Sequence, residues 1–544
     1  MDCLSFPYSR VPKSSRLLVD YLERREQISR FYNGNPFDPA TYTRLEEELR
    51  GFKTDRKTLV ETLLRQNAAF GAGDHTIRNI ESLRDPATCA VVTGQQVGLF
   101  SGPAFTLYKA LTAVRVSQSL NERGLKTVPI FWLATEDHDL EEVAQTYALN
   151  DDYQPVHLHD AGERPAPQSP VGRVKLTEGV TQQIHHLESL LPQSDDRAQL
   201  LEDLRSAYKP GATWAHSFAQ FLTRLFNRWG VVLLDPMDEA VHRLSVPIYQ
   251  KALRHADDLR SQLQARSSEL IRAGYHAQVH ITDESTLLFA EREGNRLAVH
   301  QVDSETRQFS IGEVQTASLD ELESEISRHP LTFSANVLLR PIVQDSLLPT
   351  IAYVAGPSEL AYLGQAQVLY SAFGRPMPAV FPRSGFTLID HRIERWMEKY
   401  QLAIEDVWQG KEHLGRRIAS KAFAEGWEER FDQVERDLAA LLARLRKDIE
   451  ALDPTLIDAM GHAEEKIQYQ IERLKGKMTR AALSRSEILA RHEEAILRAL
   501  MPEKELQERI VGGIYFLGRA GYRLLDQLLE QVPADSSLHR VMTF

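Results

Sequence analysis

Residues 89–139, CAVVTGQQVGLFSGPAFTLYKALTAVRVSQSLNERGLKTVPIFWLATEDHD, decide the fold. Cys89–Thr93 is a short apolar run that stops at Gly94, as a buried strand does. From Pro103 to about Arg123, Leu107, Ala110, Leu111 and Val114 recur at helical spacing. Val128–Ala134 is a second buried-strand run, stopped by the polar group Thr135-Glu136-Asp137-His138-Asp139. Strand, glycine-rich turn, helix and strand make one βαβ unit. Such a unit calls for a parallel sheet with a right-handed crossover.

The same order returns near residue 350. Ile351–Ala355 runs into Gly356-Pro357, then a helical stretch to about Phe373, then a strand at Pro378–Phe381. Both turns carry G-P-x4-Y, ending at Tyr108 and at Tyr362. The two units are halves of one sheet or a chance likeness. Val231–Leu234, halted by Asp235-Pro236, adds a strand of the same kind and favours the common sheet.

Outside these units the chain changes character. Residues 1–85 read as helical, and 151–210 and 262–330 as insertions on the sheet, the latter with Gly294-Asn295 in a hairpin turn. The core is expected at 86–150, 211–260 and 331–395. From Phe431, apolar residues recur at three- and four-residue steps through Val434, Leu438, Leu441, Leu445, Ile449 and Leu452. Asp453-Pro454 breaks the pattern, and Met460, Ile467, Ile471, Leu474 and Met478 resume it. This is an antiparallel coiled-coil hairpin within 420–500, an arm suited to dimerisation or docking. The tail at 501–544 is expected to be helical and to pack back on the body. The class is therefore α/β, a parallel sheet with inserted segments and a C-terminal coiled coil.

Composition excludes other classes. With 42% hydrophobic residues the chain is neither disordered nor fibrous. Its net charge of −12 argues against general nucleic-acid or membrane-surface binding. Cys3 and Cys89 form no CxxC pair, so a reduced, cytoplasmic setting without a zinc–thiolate site is expected. No apolar run is long enough to span a membrane.

Ligands bind outside the carboxyl ends of parallel strands, and three candidate clusters fall there. The first is the turn Thr93, Gly94, Gln95, Gln96, Gly98, Ser101 and Gly102, whose amides and following helix would favour an anion, with Lys109 two turns in. A packing role for the glycines and a solvent position for Lys109 are the alternatives. The second is Glu136, Asp137, His138 and Asp139, offering Mg²⁺ ligands, a general base or both. The alternative is a solvated helix start capped by one of the acids. His138 is the favoured base, its pKa expected to be raised by the acids beside it. The third is Tyr353, Gly356, Glu359 and Arg383, Arg383 serving as an anion anchor or as one half of a salt bridge. His157 and His159 have a metal-like spacing but no further ligands nearby, and Asp235 and Asp238 fit a turn as well as a sugar.

At TGQQVGLFSGPAFTLYKALTAV, PIFWLATEDHDLEEV and AGPSELAYLGQAQ, the chain resembles the BshC family, cysteine ligases of bacillithiol biosynthesis. The coiled-coil arm and PEKELQER at 502–509 carry the likeness nearly to the end. The resemblance implies a Rossmann-like core, a homodimer, and joining of the cysteine carboxyl to the amine of glucosaminyl-malate. It also implies an ADP site associated with the coiled-coil and C-terminal region. Amide formation in water needs an activated carboxyl, so ATP with Mg²⁺ is the simplest expectation, and thiol recognition without zinc. The reading from another class is a nucleotide-binding coiled-coil adaptor without turnover. An all-surface Glu136–Asp139 cluster with no pocket beside Gly94–Gly102 would favour the adaptor.

Overall fold

The computed structural model describes residues 3–51, 54–312, 315–422, 427–484 and 486–544. At its centre lie β1 (Cys89–Gln95), α1 (Phe105–Glu122), β2 (Thr127–Leu133), β3 (Val232–Leu234) and α2 (Glu239–Arg254). They are completed by α3 (Arg340–Leu347), β4 (Thr350–Ala355), α4 (Pro357–Ala372) and β5 (Ala379–Pro382). The five strands form one parallel sheet in the order β5-β4-β1-β2-β3. They are buried almost throughout, which is why they read as unbroken apolar runs rather than alternating ones. The two βαβ units share this sheet. From β1 the chain builds outward to β3 on one side, then returns to build β4 and β5 on the other. Strand order therefore reverses between β1 and β4, the place where such sheets open a crevice.

The insertions carry their own antiparallel sheet. Ser285–Arg292 and Asn295–Asp303 form a hairpin in which Arg292 pairs with Asn295. The turn residues are thus Glu293 and Gly294, one position earlier than the sequence indicates, and both have positive φ, 50° and 79°. Phe333–Ala335, expected in the core, pairs instead with Ser285–Arg292 and ties this sheet to the segment before α3. Gln145–Leu149 pairs with Pro155–His159, so one hairpin straddles the expected boundary at 150.

Two strands escaped the sequence reading of the termini. Cys3–Phe6 and His539–Thr543 join Gly385–Ile389 in a separate three-stranded sheet, the last strand lying outside the core to which it was assigned. This sheet brings both ends of the chain to the edge of β5.

Beyond it, α5 (Trp427–Leu452) and α6 (Ile457–Ser484) flank the Asp453-Pro454 turn. Residues 423–426 and 485 of the expected arm lie outside the described residues. The helix Glu487–Leu500 packs at the base of the arm against Lys411–Ala422 and Gly385–Ile389 rather than projecting with it. Lys475 bridges to Asp432 at 3.0 Å and Arg446 to Glu464 at 3.3 Å across the hairpin. Phe431, Leu438, Ile449, Met460, Ile467 and Ile471 are at least half-covered, whereas Val434, Leu441, Leu445, Leu452, Leu474 and Met478 are exposed. Two helices offer each other one interface, and the apolar repeat is wider than that.

Candidate active site

A cavity of about 570 Å³ opens at the carboxyl ends of β1, β2 and β4, over the point where strand order reverses. Its volume is in the range of small-molecule sites. Of the glycine-rich turn, Gly94, Gln95 and Gln96 line it. Lys109 is buried rather than solvated: its ammonium donates to the Gly94 carbonyl and to Gln95 Oε1, each at 2.8 Å, and pairs with Glu359. Burial lowers its pKa against the pull of Glu359. Glu359 accepts from the Gly356 amide at 2.6 Å and from the Tyr353 hydroxyl at 2.8 Å, so it closes the start of α4 and spans the gap between β1 and β4. Tyr353, Gly356, Glu359 and Arg383 all line the cavity.

The rest of the turn faces elsewhere. Thr93 is buried and donates to the Val354 carbonyl at 3.0 Å, a strand-to-strand bond. Gly98 and Gly102 pack against each other so closely that a Cβ on Gly98 would stand 2.7 Å from the Gly102 Cα. Ser101 is buried in the same turn. The expected anion site before α1 is filled by protein: Ala104 N–H donates to the Val511 carbonyl at 2.9 Å and Gly513 N–H to the Gly102 carbonyl at 3.3 Å. These glycines serve the packing of a distant chain segment. The anion role assigned to Gly98, Ser101 and Gly102 is corrected accordingly.

The acidic cluster divides in the same way. Asp139 caps the short helix that follows, accepting from Glu142 N–H at 3.1 Å. Asp137 lines the cavity, but its Oδ1 accepts from the His138 amide at 2.8 Å and its Oδ2 from Gln96 at 2.8 Å. Gln96 also donates to Glu142 at 2.7 Å. His138 is turned aside against Phe289, with Arg296 donating to its Nδ1 at 3.3 Å. Its pKa is lowered, not raised: burial and the Arg296 charge outweigh Asp137 and Asp139. Bonded at Nδ1, the neutral ring carries its hydrogen on Nε2 and has no free lone pair, so the general-base assignment of His138 is not supported. The acids face different partners, and among the described residues no group of three or more His, Cys, Asp and Glu is placed to hold a metal ion. The cluster does not assemble the Mg²⁺ ligand set expected of it.

Glu136 differs from its neighbours. It lies on the cavity wall with a side chain only 14% exposed, and burial pushes its carboxyl up to about 7 despite Arg296 and Arg340. A carboxyl with that pKa suits proton transfer near neutral pH.

Arg296 and Arg340 were not found from the sequence. Arg296 stacks over Phe289 at 3.7 Å and bonds Ser334 Oγ, the Ala335 carbonyl and His138. Arg340 donates to Tyr362 at 2.6 Å, to Tyr353 at 3.3 Å and to Gln344 at 3.1 Å. All of these partners are neutral. By contrast Arg383 is committed to Glu508 at 2.6 Å, a buried pair rather than a surface one. Neither Arg296 nor Arg340 stands in a recognisable motif; each reaches the cavity from a separate element, the hairpin and α3. Of the remaining candidates, His157 bonds Gln145 and stacks on Tyr147, Asp235 holds a turn with Thr135, and Asp238 caps α2.

A Rossmann-like sheet with a cavity at its switch point, a buried carboxyl and two guanidiniums that, among the described residues, form no ion pair with a carboxylate are the features of a small-molecule-binding protein of the enzyme type. Residues 1–384 match the family described as "Bacillithiol biosynthesis BshC, N-terminal Rossmann-like domain", and residues 386–544 match its C-terminal coiled-coil domain. The chain belongs to the BshC family. It is 38% identical over 97% of both chains to a protein of Koribacter versatilis named "Putative cysteine ligase BshC". A protein of the same name from Solibacter usitatus is 34% identical over the whole of both chains, and one from Salinibacter ruber is 32% identical over 97% of this chain and 96% of its own.

Proposed function

We propose that this chain is the ligase that joins the carboxyl of cysteine to the amine of glucosaminyl-malate, with ATP activating the carboxyl. The observation that carries this reading is the cavity itself, where the Glu136 carboxyl feels the charges of Arg296 and Arg340, two guanidiniums whose hydrogen bonds go to neutral groups. The guanidiniums fit the carboxylates of a malyl group and the charge of an activated acyl group. When the amine attacks, the C–N bond forms, the bond to AMP or phosphate breaks, and the nitrogen's proton passes to Glu136. Mg²⁺ would come with the nucleotide and neutralise phosphate charge. A cavity of about 320 Å³ adjoins the first past Arg383 and Arg509 and is bordered by Glu505, Leu506, Glu508 and Arg509, which supports a nucleotide beside the C-terminal region. The pocket beside Gly94–Gln96 favours the enzyme over the adaptor reading.

The test is to incubate pure protein with ATP, Mg²⁺, cysteine and glucosaminyl-malate and to look for bacillithiol by mass. No product from folded protein sinks the proposal. Because Glu136 must be ionised to accept a proton, kcat should rise with pH through about 7, the value set by its burial. A rate flat between about pH 6 and 8 contradicts that role.

We also propose a homodimer through the arm. Val434, Leu441, Leu445 and Leu452 are 52, 59, 48 and 82% exposed and recur at seven- and four-residue steps along α5, a seam for a second copy. Leu441→Glu is expected to convert dimer to monomer in sedimentation, with the melting temperature of the body unchanged. A wild-type monomer, or an undisturbed dimer in the variant, removes the seam from the account. Among the described residues no helix is long and apolar enough to cross a membrane.

A further inference from the structure

Behind Glu136, on the side away from the main cavity, stands a residue that no motif announces. His242 is on the buried face of α2 with Val241, Ser245 and Tyr249, and is 3% exposed. Its Nδ1 is 3.1 Å from the Pro330 carbonyl, and its Nε2 is 3.3 Å from Glu136 Oε1. A carbonyl only accepts, so Nδ1 carries the ring hydrogen. Burial lowers the imidazole to about 4, which leaves the ring neutral and Nε2 a bare lone pair near pH 7. A lone pair facing a carboxyl oxygen is satisfied only when that carboxyl holds the proton.

We propose that His242 is a positioning residue for Glu136: held by the Pro330 carbonyl, its imidazole accepts the hydrogen bond of the protonated Glu136 carboxyl and secures the proton taken from the substrate. This rests on the reading of Glu136 as the base. The Phe333 backbone also faces the ring and favours its charged form, but burial outweighs it, and the charged neighbours are engaged elsewhere. Asp235, whose charge favours an imidazolium at His242, is occupied by the Thr135 hydroxyl at 2.5 Å and the Met237 amide at 3.1 Å. Arg173, whose charge disfavours an imidazolium, is paired with Glu291. Arg296 and Arg340 act on Glu136 from the cavity side, and the Tyr249 ring lies 6.4 Å from His242. Glu136, His242 and Arg296 also border a small separate cavity of about 20 Å³. That is the room one water needs.

The test is a titration that does not depend on turnover. Carbon-13 NMR of labelled glutamate, with the Glu136 signal assigned by its loss in Glu136→Gln, should give a midpoint near 7 in the wild type. His242→Asn keeps a donor toward Pro330 and removes the Nε2 acceptor. Its midpoint should fall by about one unit, and the acid limb of kcat should move down with it at unchanged KM. An unmoved midpoint in folded His242→Asn overturns the proposal and makes His242 a packing residue. A shifted midpoint with an unmoved rate limb keeps the hydrogen bond and refutes Glu136 as the base. If the variant does not fold, nitrogen-15 NMR of the wild-type histidines decides: a neutral Nδ1–H ring at about pH 7 is expected, and an imidazolium or the Nε2–H tautomer overturns it.

Discussion

Glu136→Gln is expected to lower turnover by about 10²–10⁴-fold, the usual worth of a positioned acid–base group, while the fold remains intact. The amide has the shape of the protonated carboxyl and can still reach His242, but it cannot take a proton. Stability should change in the opposite sense. The folded carboxyl is raised to about 7, whereas an unfolded glutamate titrates near ~4.3, so the folded state binds the proton more tightly. Its contribution to stability is present below pH ~4.3 and is lost as pH rises to about 7, so the wild type carries a penalty at pH 8 that Gln lacks. Glu136→Gln should therefore melt at or above the wild-type temperature at pH 8. A variant that keeps full turnover shows that another group receives the proton.

Glu508→Ala should cost about 3–5 kcal/mol of stability, because it strands a buried cation. Arg383 and Glu508 have side chains 5% and 3% exposed, and meet at 2.6 Å. Glu508 also accepts from the Phe386 amide at 3.0 Å, so it holds the end of β5, the terminal sheet and the segment Glu505–Arg509 together. Burial acts to raise its pKa, but the Arg383 guanidinium prevails and the carboxyl stays below the usual range. The stabilisation is thus fully present above ~4.3, the unfolded value, and is lost as pH falls through the lower folded one. Urea unfolding of Glu508→Ala beside the double variant Arg383→Met, Glu508→Leu checks this. The double variant should lose much less, since it buries no unpaired charge. Equal losses in the two, or a loss below ~1 kcal/mol in Glu508→Ala, would place the pair's weight elsewhere.

The central sheet was legible because strands buried on both faces leave an unmistakable mark. CAVVT, VPIFWLA, VVLL and IAYVA are apolar throughout and end on Gly, polar or Asp-Pro stops. That the two units share a sheet followed from Val231–Leu234, a further strand of the same kind, and the place of the cavity from the loops that end β1 and β2; that β1 and β4 are neighbours did not. What stayed hidden depends on contacts far along the chain. The strand Gly385–Ile389 looks like one more core strand, and only its terminal partners show that it is not. The glycines of TGQQVGLFSG were read for an anion, but they admit the segment Val511–Gly513, which local sequence cannot reveal. His138 was judged by the acids next to it in sequence, and its charge state is set by burial and by Arg296 from another sheet. Arg340 and His242 carry no local signal, since each is one polar residue among several on an ordinary helix and acquires meaning only from what faces it.

The most direct measurement of the account follows oxygen. With cysteine labelled with oxygen-18 in its carboxyl, ATP, Mg²⁺ and glucosaminyl-malate, the enzyme should release one labelled oxygen into AMP or phosphate for each bacillithiol formed. That transfer requires a covalent bond between the carboxyl oxygen and phosphorus, and Glu136→Gln should slow its delivery to product. Bacillithiol formed without ATP, or with no label in the phosphorus-containing product, contradicts carboxyl activation in this cavity.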